Sequence, residues 1–423
     1  MTRFTRAGAV VGALTLVASL ALTGCGDKQK TPTFVGGAAA DASAAPGSSA
    51  PSTPATPGAP DAPTLTLSPA NGANNRPVST EISAKLPDGG KVSAVTLTAD
   101  GGGAVEGKLR TDGSAWVPSA PLKFGTRYTA TVTANAADGT SSQGTSSFTT
   151  MAKPKSTIGS GLYLFDDKSY GVAMPVVAEF HPGIPKKDRA AVQKRMFVRT
   201  DPPQPGAWHW IDNGEQAYYR APEYWKTGTT LTVRIALAGI PLSNGRYGDM
   251  DRKATAKIGR SFQMKVDNAS KKMTVYENGA LVRTIPVSLG KKSTPSSSGT
   301  MVVMEKKEAT TFDTRDDPDP ANRYVTDIQF AQRLTWGGEY IHAAPWSEHV
   351  QGRQNVSHGC VNVSTVNARW LFEKTRIGDP ITVKGTERKI GAGNGWTAWS
   401  LGWSAFIKGS ALPVPSGGAG PLL

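Results

Sequence analysis

The chain has 423 residues and a formal net charge of +14, from 47 Lys and Arg against 33 Asp and Glu, with only 2 Cys and 5 His. Two cysteines exclude a disulfide scaffold, and the sequence holds no phosphate loop, dinucleotide fingerprint or recognised metal motif. The charge admits either nucleic acid or an anionic envelope surface as partner.

At the N-terminus, Arg3 and Arg6 precede an apolar run over 7–22 that ends in Leu22-Thr23-Gly24-Cys25. A charged start and a short apolar stretch predict a secretory signal over 1–24, too short to span a bilayer as a mature helix. Leu-Thr-Gly-Cys resembles a bacterial lipobox, which implies that Cys25 is acylated and heads the mature chain. That resemblance puts the protein on the outer face of the cytoplasmic membrane, lipid-anchored and facing the wall. Such a chain meets little nucleic acid, so the positive charge is read as attraction to anionic wall polymers and lipid heads. With Cys25 lipidated, Cys360 is the remaining thiol, and an unpaired thiol kept in an oxidising compartment favours a reactive role. Residues 25–63 carry mostly Ala, Pro, Ser, Gly and Thr beyond the cysteine. They read as a disordered tether with a reach of roughly 30–40 Å.

From 64 to 150, short alternating runs such as Val92-Ser93-Ala94-Val95-Thr96-Leu97 and Tyr128-Thr129-Ala130-Thr131-Val132 are separated by turn residues. That spacing predicts an immunoglobulin-like β-sandwich. A weak repeat predicts a second sandwich over 151–259. Lys123-Phe124-Gly125-Thr126-Arg127-Tyr128-Thr129 returns in kind as Lys226-Thr227-Gly228-Thr229-Thr230-Leu231-Thr232, one immunoglobulin-sized period later. Trp208-His209-Trp210 in this second unit reads as a half-buried strand.

A third domain is predicted over 260–386. Met273-Thr274-Val275-Tyr276 and Leu281-Val282-Arg283-Thr284-Ile285 flank Asn278-Gly279, a strong tight-hairpin signal. Ser364 can cap a helix through Thr375 with Val366, Trp370 and Leu371 on one face, and Gly378 stops it before the strand Ile381-Thr382-Val383. The extension over 387–423 carries Trp396, Trp399 and Trp403 at helical spacing, a stripe expected to pack on the third domain.

The chemistry concentrates in Ser357-His358-Gly359-Cys360-Val361-Asn362, with His342 upstream in Tyr340-Ile341-His342-Ala343-Ala344-Pro345-Trp346. A thiolate attacks carbonyls well and needs a proton acceptor to form; a histidine titrating near neutrality supplies one. Gly359 lets the backbone N–H groups around the cysteine approach a substrate oxygen. A small core cysteine is the bland alternative. A zinc site built from His342, His349, His358 and Cys360 is disfavoured, because the spacings match no paired-ligand pattern. No metal or cofactor is expected.

These residues resemble the signature of the L,D-transpeptidases, the YkuD-type cysteine enzymes of peptidoglycan cross-linking. Pro286-Val287-Ser288-Leu289-Gly290-Lys291, Thr294-Pro295 and Gly299 agree with it. The resemblance implies a mainly β fold, with two immunoglobulin-like β-sandwiches followed by a YkuD-type β-rich catalytic domain with short helices. It also implies acyl transfer from a stem tetrapeptide through a Cys360 thioester, release of D-Ala, and attack by another stem's diamino acid to give a 3→3 cross-link. His342 is then the base, expected as imidazolium beside a thiolate and oriented by the backbone carbonyl of Ala343. The backbone N–H groups of His358, Gly359 and Cys360, with the Tyr324 hydroxyl, are the expected oxyanion donors. His358 and Asn362 are expected to shape the motif and touch substrate, while Ser357 is structural and His349 has no role. Carbapenem-type β-lactams are expected to acylate Cys360.

The loop Thr294-Pro295-Ser296-Ser297-Ser298-Gly299 is longer than the family's usual turn, and Met301 stands where an aromatic is common. The segment 308–323 reads as a lid loop. Its Asp313, Asp316, Asp317 and Asp319 could attract an acceptor ammonium, though a plain solvated loop is the weightier reading. An L,D-carboxypeptidase using the same site, or a wall-binding lipoprotein scaffold, are the alternative functions.

Overall fold

The computed structural model describes residues 65–86, 89–316 and 319–423. The signal segment, Cys25, the tether and Asp317 lie outside the described residues. The chain is mainly β, as the patterning predicts: alternating runs bury one face of each strand. Arg127–Ala136, for example, turns Tyr128, Ala130, Val132 and Ala134 inward.

In the first sandwich a sheet runs in the order Ala73–Arg76, Ser141–Thr150, Arg127–Ala136, Gly90–Ala99. Its opposing layer is made of the short pairs Thr66–Ser68/Ser83–Lys85 and Gly107–Leu109/Trp116–Pro118, joined by an Ile82–Trp116 bridge. The second sandwich packs a four-stranded sheet against a five-stranded one, which contains Ala207–Trp210, Gln216–Arg220 and Val176–His181. Trp208 and Trp210 are buried in it, while His209 turns outward to meet Phe406 O at 2.7 Å.

The repeat has a structural meaning. Gly125 and Gly228 both take positive φ, and their N–H groups close equivalent turns on Met151 O and Ile258 O. Three residues earlier, Leu122 N–H reaches Val78 O, and Trp225 N–H reaches Val172 O.

The third region begins with the strand Phe262–Asp267. A six-stranded sheet orders Ala280–Pro286, Lys272–Glu277, Phe262–Asp267, Pro380–Lys384, Ser297–Val302 and Arg388–Lys389. Asn278 and Gly279 take φ of 49° and 87°, the pair of positive values that a two-residue hairpin turn requires. A second sheet orders Glu305–Asp313, Val325–Arg333, Tyr340–Ala343 and Val361–Val363. Between the sheets lies an apolar core that includes Met264, Val275, Met301, Ile341, Val363 and Leu371.

The helix Thr365–Lys374 is capped by Ser364, whose Oγ accepts the Asn367 N–H. Its inward face differs from expectation. Ala368 and Leu371 are buried with Thr375 beyond them, whereas Val366 is 75 % exposed. Three-residue spacing from 368 fixes that stripe and leaves 366 on the solvent side.

The tryptophan tail also departs from expectation. It forms a 3-10 turn Thr397–Ser400 and a short helix Trp403–Phe406 rather than one helix. It packs chiefly on the second sandwich, at its junction with the third region. Trp396 and Phe406 join that sandwich's core, and Trp399 Nε1 donates to Ala173 O at 2.7 Å. The reason is Arg220. This arginine is only 2 % exposed, donates to the carbonyls of Ala398 and Leu401, and lies under the rings of Trp399, Trp403 and Phe406. Burying such a cation requires those carbonyls and aromatic faces around it.

Candidate active site

Tyr340–Ala343 and Val361–Val363 pair in parallel with His342 opposite Asn362. Side chains alternate along each strand. Ile341, Ala343, Val361 and Val363 therefore enter the core, and His342, Asn362 and Cys360, two residues before Asn362, share the other face. That face opens into a cavity of about 470 Å³ lined by Phe312, Tyr324, Thr326, His342, Trp346, Val356, Ser357, His358, Cys360 and Asn362. The thiol and the imidazole, eighteen residues apart in sequence, thus meet in one cleft.

The turn that presents Cys360 is tightly specified. Gly359 has φ +123°, a conformation that residues with a Cβ rarely adopt. Ser357 Oγ accepts the Gly359 N–H at 3.1 Å and donates to Cys360 O at 2.7 Å. From behind, Ser296 Oγ donates to Gly359 O at 2.7 Å and accepts the Gly290 N–H at 2.9 Å. Ser357 is accordingly a brace. One expectation needs correction here: the Gly359 N–H is engaged by that serine and is not offered to a substrate oxyanion.

His342 is 3 % exposed, and its Nδ1 lies 2.8 Å from Ala343 O. A carbonyl can only accept, so Nδ1 carries the proton and Nε2 keeps its lone pair. The ring is held by the edge of Phe312 at 5.7 Å and by Trp346 at 6.0 Å. Burial lowers the imidazole to about 4, against the smaller opposing effect of the Ala343 hydrogen bond. Burial likewise pushes the Cys360 thiol up to about 12; a backbone hydrogen bond with Tyr340 works against this and the Glu339 charge adds to it. Desolvation thus favours a neutral thiol beside a neutral imidazole, instead of the expected ion pair.

The remaining expected residues gather around this pair. Tyr324 lines the cavity with its ring 4.9 Å from that of His358. Burial, and then the Cys360 charge, raise its phenol, so it stays a donor at neutral pH. His358 is exposed, with Nε2 3.0 Å from Lys291 Nζ. Asn362 is buried and donates from Nδ2 to Ser347 Oγ at 3.3 Å; its Oδ1 has no hydrogen-bond partner among the described residues. His349 lies exposed outside the cavity lining. Among the described residues no three His, Cys, Asp or Glu gather to hold a metal ion.

Sequence reasoning missed two features. The expected lid loop is a β-hairpin arm, Glu305–Asp313 paired with Val325–Arg333, which hangs Phe312 and Thr326 over the cleft. Only its tip, with the 3-10 turn Pro320–Asn322, is irregular, and there Asp313 is tied to Arg315. Thr310-Thr311-Phe312, residue types that favour strands, were the available signal, masked by the Asp and Pro that follow. The second is Glu339, a buried carboxylate that accepts both the N–H and the hydroxyl of Ser297 and pairs with Arg388. Nothing in its local pattern marks it as buried.

A thiol, an oriented base and polar donors around a cleft define a cysteine acyltransferase or hydrolase. Residues 261–383 match the L,D-transpeptidase catalytic domain family (YkuD), and residues 73–241 match a bacterial Ig domain (Big_10). The chain is 33 % identical over 358 residues to L,D-transpeptidase 2 of Mycobacterium tuberculosis, covering 82 % of this chain and 85 % of that one. It is also 33 % identical over 361 residues to L,D-transpeptidase 5 of the same species, covering 83 % and 78 %. A solved structure of the LD transpeptidase LdtMt1 in complex with imipenem is 31 % identical, with TM-score 0.46, covering 55 % of this chain and 100 % of that one. The chain belongs to the L,D-transpeptidase family, whose members work by cysteine acyl transfer.

Proposed function

We propose that the protein forms 3→3 peptidoglycan cross-links with Cys360 as nucleophile and His342 as base. The carrying observation is the shared face: both side chains open into one cavity, and Ala343 O fixes the proton on Nδ1 so that Nε2 is the acceptor. As Sγ bonds to the carbonyl carbon of stem residue three, its proton passes to Nε2. The carbonyl electrons move to oxygen, where the Tyr324 hydroxyl and the backbone N–H groups of His358 and Cys360 are the candidate donors. The intermediate collapses, the C–N bond breaks, and the nitrogen of D-Ala leaves with the proton from Nε2. The acceptor amine then attacks the thioester, gives a proton to Nε2, and the thiol re-forms as the new amide appears.

Incubation of the full chain with a stem tetrapeptide, followed by mass spectrometry, tests this reading. A 3→3 dimer plus D-Ala is expected. Tripeptide alone would mean that water resolves the thioester, and neither product would leave a wall-binding scaffold. Cys360→Ala should abolish both steps; retention of more than a few per cent of turnover contradicts the assignment. A carbapenem, whose strained ring carbonyl imitates the scissile bond, should add one drug mass to the wild type and none to Cys360→Ala.

The proposal extends to address: export, acylation at Cys25 and residence on the wall-facing side of the cytoplasmic membrane. The lipobox-like Leu22-Thr23-Gly24-Cys25 supports it. Labelled palmitate should enter the wild type and not Cys25→Ala.

A further inference from the structure

We infer that Lys291 and His358 form a carboxylate subsite that reads the D-Ala end of the donor stem, an inference that rests on the tetrapeptide reading above. Lys291 belongs to the same rigid unit as the nucleophile. Its N–H donates to Ser357 O at 2.8 Å, and its carbonyl accepts the Thr294 N–H at 2.9 Å. Ser296 locks this loop onto Gly359 O. From that anchored backbone the ammonium reaches within 3.0 Å of His358 Nε2. An ammonium only donates, so Nε2 is the acceptor and the neutral His358 ring carries its proton on Nδ1. Two further N–H bonds of the ammonium remain to be satisfied, and among the described residues Lys291 makes no ion pair with an acid. Among the described residues the cavity lining itself contains no Lys, Arg, Asp or Glu. Lys291 therefore puts a positive charge at the edge of a cleft whose described lining carries no Lys, Arg, Asp or Glu, beside a histidine that lines it.

The substrate supplies the matching charge. In a tetrapeptide donor a single residue follows the scissile bond, so its carboxylate lies within about 5 Å of the attacked carbon. His358 stands two residues from Cys360, and a carboxylate at that distance meets the His358 and Lys291 donors. A stem longer by one residue presents a neutral amide there instead. The subsite thus selects tetrapeptide over pentapeptide donors by charge, a distinction that an apolar cavity makes poorly.

The test separates affinity from turnover. Calorimetric titration of Cys360→Ala, which cannot consume donor, would use the tetrapeptide, its D-alaninamide analogue and an analogue amidated at the diamino acid carboxyl. Charge-assisted hydrogen bonding predicts about 10- to 100-fold tighter binding of the free acid than of the D-alaninamide form. In Cys360→Ala/Lys291→Gln that ratio should collapse to about twofold or less, and Lys291→Arg should restore it. Equal affinities for acid and D-alaninamide in Cys360→Ala overturn the proposal. So does a Lys291→Gln variant that weakens both alike, which would make Lys291 only a support for His358. Discrimination that follows the diamino acid carboxyl instead also overturns it. Wild-type turnover of the tetrapeptide tests the reaction separately, so failure of the cross-linking reading is told apart from failure of the subsite.

Discussion

A buried neutral pair behaves differently from a thiolate–imidazolium pair, and the difference can be measured. With the thiol at about 12, the thiolate fraction of Cys360 is small through the neutral range and grows tenfold per pH unit. Alkylation of Cys360 by iodoacetamide should therefore accelerate about tenfold per unit between pH 6 and 9; a rate flat across that range would restore the ion pair. His342 at about 4 is already deprotonated above pH 5, so the acid limb of kcat/KM should fall near 4 rather than 6.5. His342→Ala should lower kcat by about 10² or more, in keeping with loss of a general base. A change confined to KM would reduce His342 to a binding group.

Asp379 makes a second residue-scale case. It is fully buried, its Oδ1 has no partner among the described residues, and burial raises its carboxyl from 3.8 to about 7. In that window the folded state holds a proton that the unfolded state releases. Its contribution to stability is thus present below about 4, falls as pH rises toward 7, and is lost above. Urea denaturation at pH 5 and pH 8 should show a drop in the wild type that Asp379→Asn largely removes.

At the level of elements, the site depends on a turn and a hairpin. The turn holds Gly359 at φ +123° with only ordinary contacts waiting for a Cβ, at 3.7 Å from Glu339 and 3.9 Å from Arg388. Backbone strain rather than crowding is then what excludes other residues. Gly359→Ala should cost about 1–3 kcal/mol of stability, and should lower kcat well beyond that loss by swinging Cys360 off His342. Full activity at reduced stability would show that the turn has slack. On the hairpin arm, Asp313 is already held by Arg315, which keeps its carboxyl down at about 2. Asp316 and Asp319 are the other carboxylates of the tip among the described residues, and the idea of acceptor steering is tested on them. Converting both to Asn should weaken acceptor-dependent cross-linking and its salt sensitivity while β-lactam acylation stays near wild type; equal losses would leave the tip a plain support.

Across the whole molecule, the C-terminal tail is a strap. It passes from the catalytic region over the second sandwich, pairs Ala419 with Gly206, and ends with Leu422 and Leu423 against Val117 and Phe197. Arg220 is its central peg, with four backbone carbonyls as acceptors, those of Ala398, Ala221, Pro222 and Leu401. Its guanidinium is lowered by burial to about 10 and so stays charged at neutral pH. Arg220→Ala strips those carbonyls of their donor and should destabilise the fold by about 3 kcal/mol. Limited trypsin digestion should then cut the tail at Lys408 before the rest of the chain. A tail as resistant as the wild type's would assign the docking to Trp396 and Phe406 alone.

The sequence by itself determined the mainly β architecture, because period-two alternation and Gly-rich turns leave a strand one way to bury its apolar side. It determined the sandwich repeat through Gly125 and Gly228, and the hairpin through Asn278-Gly279, since only a few residue types tolerate those backbone angles. It also marked His342 and Cys360, which the structure brings within one cleft, because their chemistry is carried by short local runs; the Ala343 carbonyl was implied by the family resemblance. Tertiary structure decided the rest. The protonation of Cys360 and His342 depends on burial, which the neighbours of a residue in space set and its neighbours in sequence do not. The engagement of the Gly359 N–H by Ser357, the burial of Glu339, the approach of Lys291 to His358 and the docking of the tail on Arg220 each join groups two to more than one hundred and seventy residues apart. No periodic pattern records such partners. Their geometry exists only once the sheets have packed.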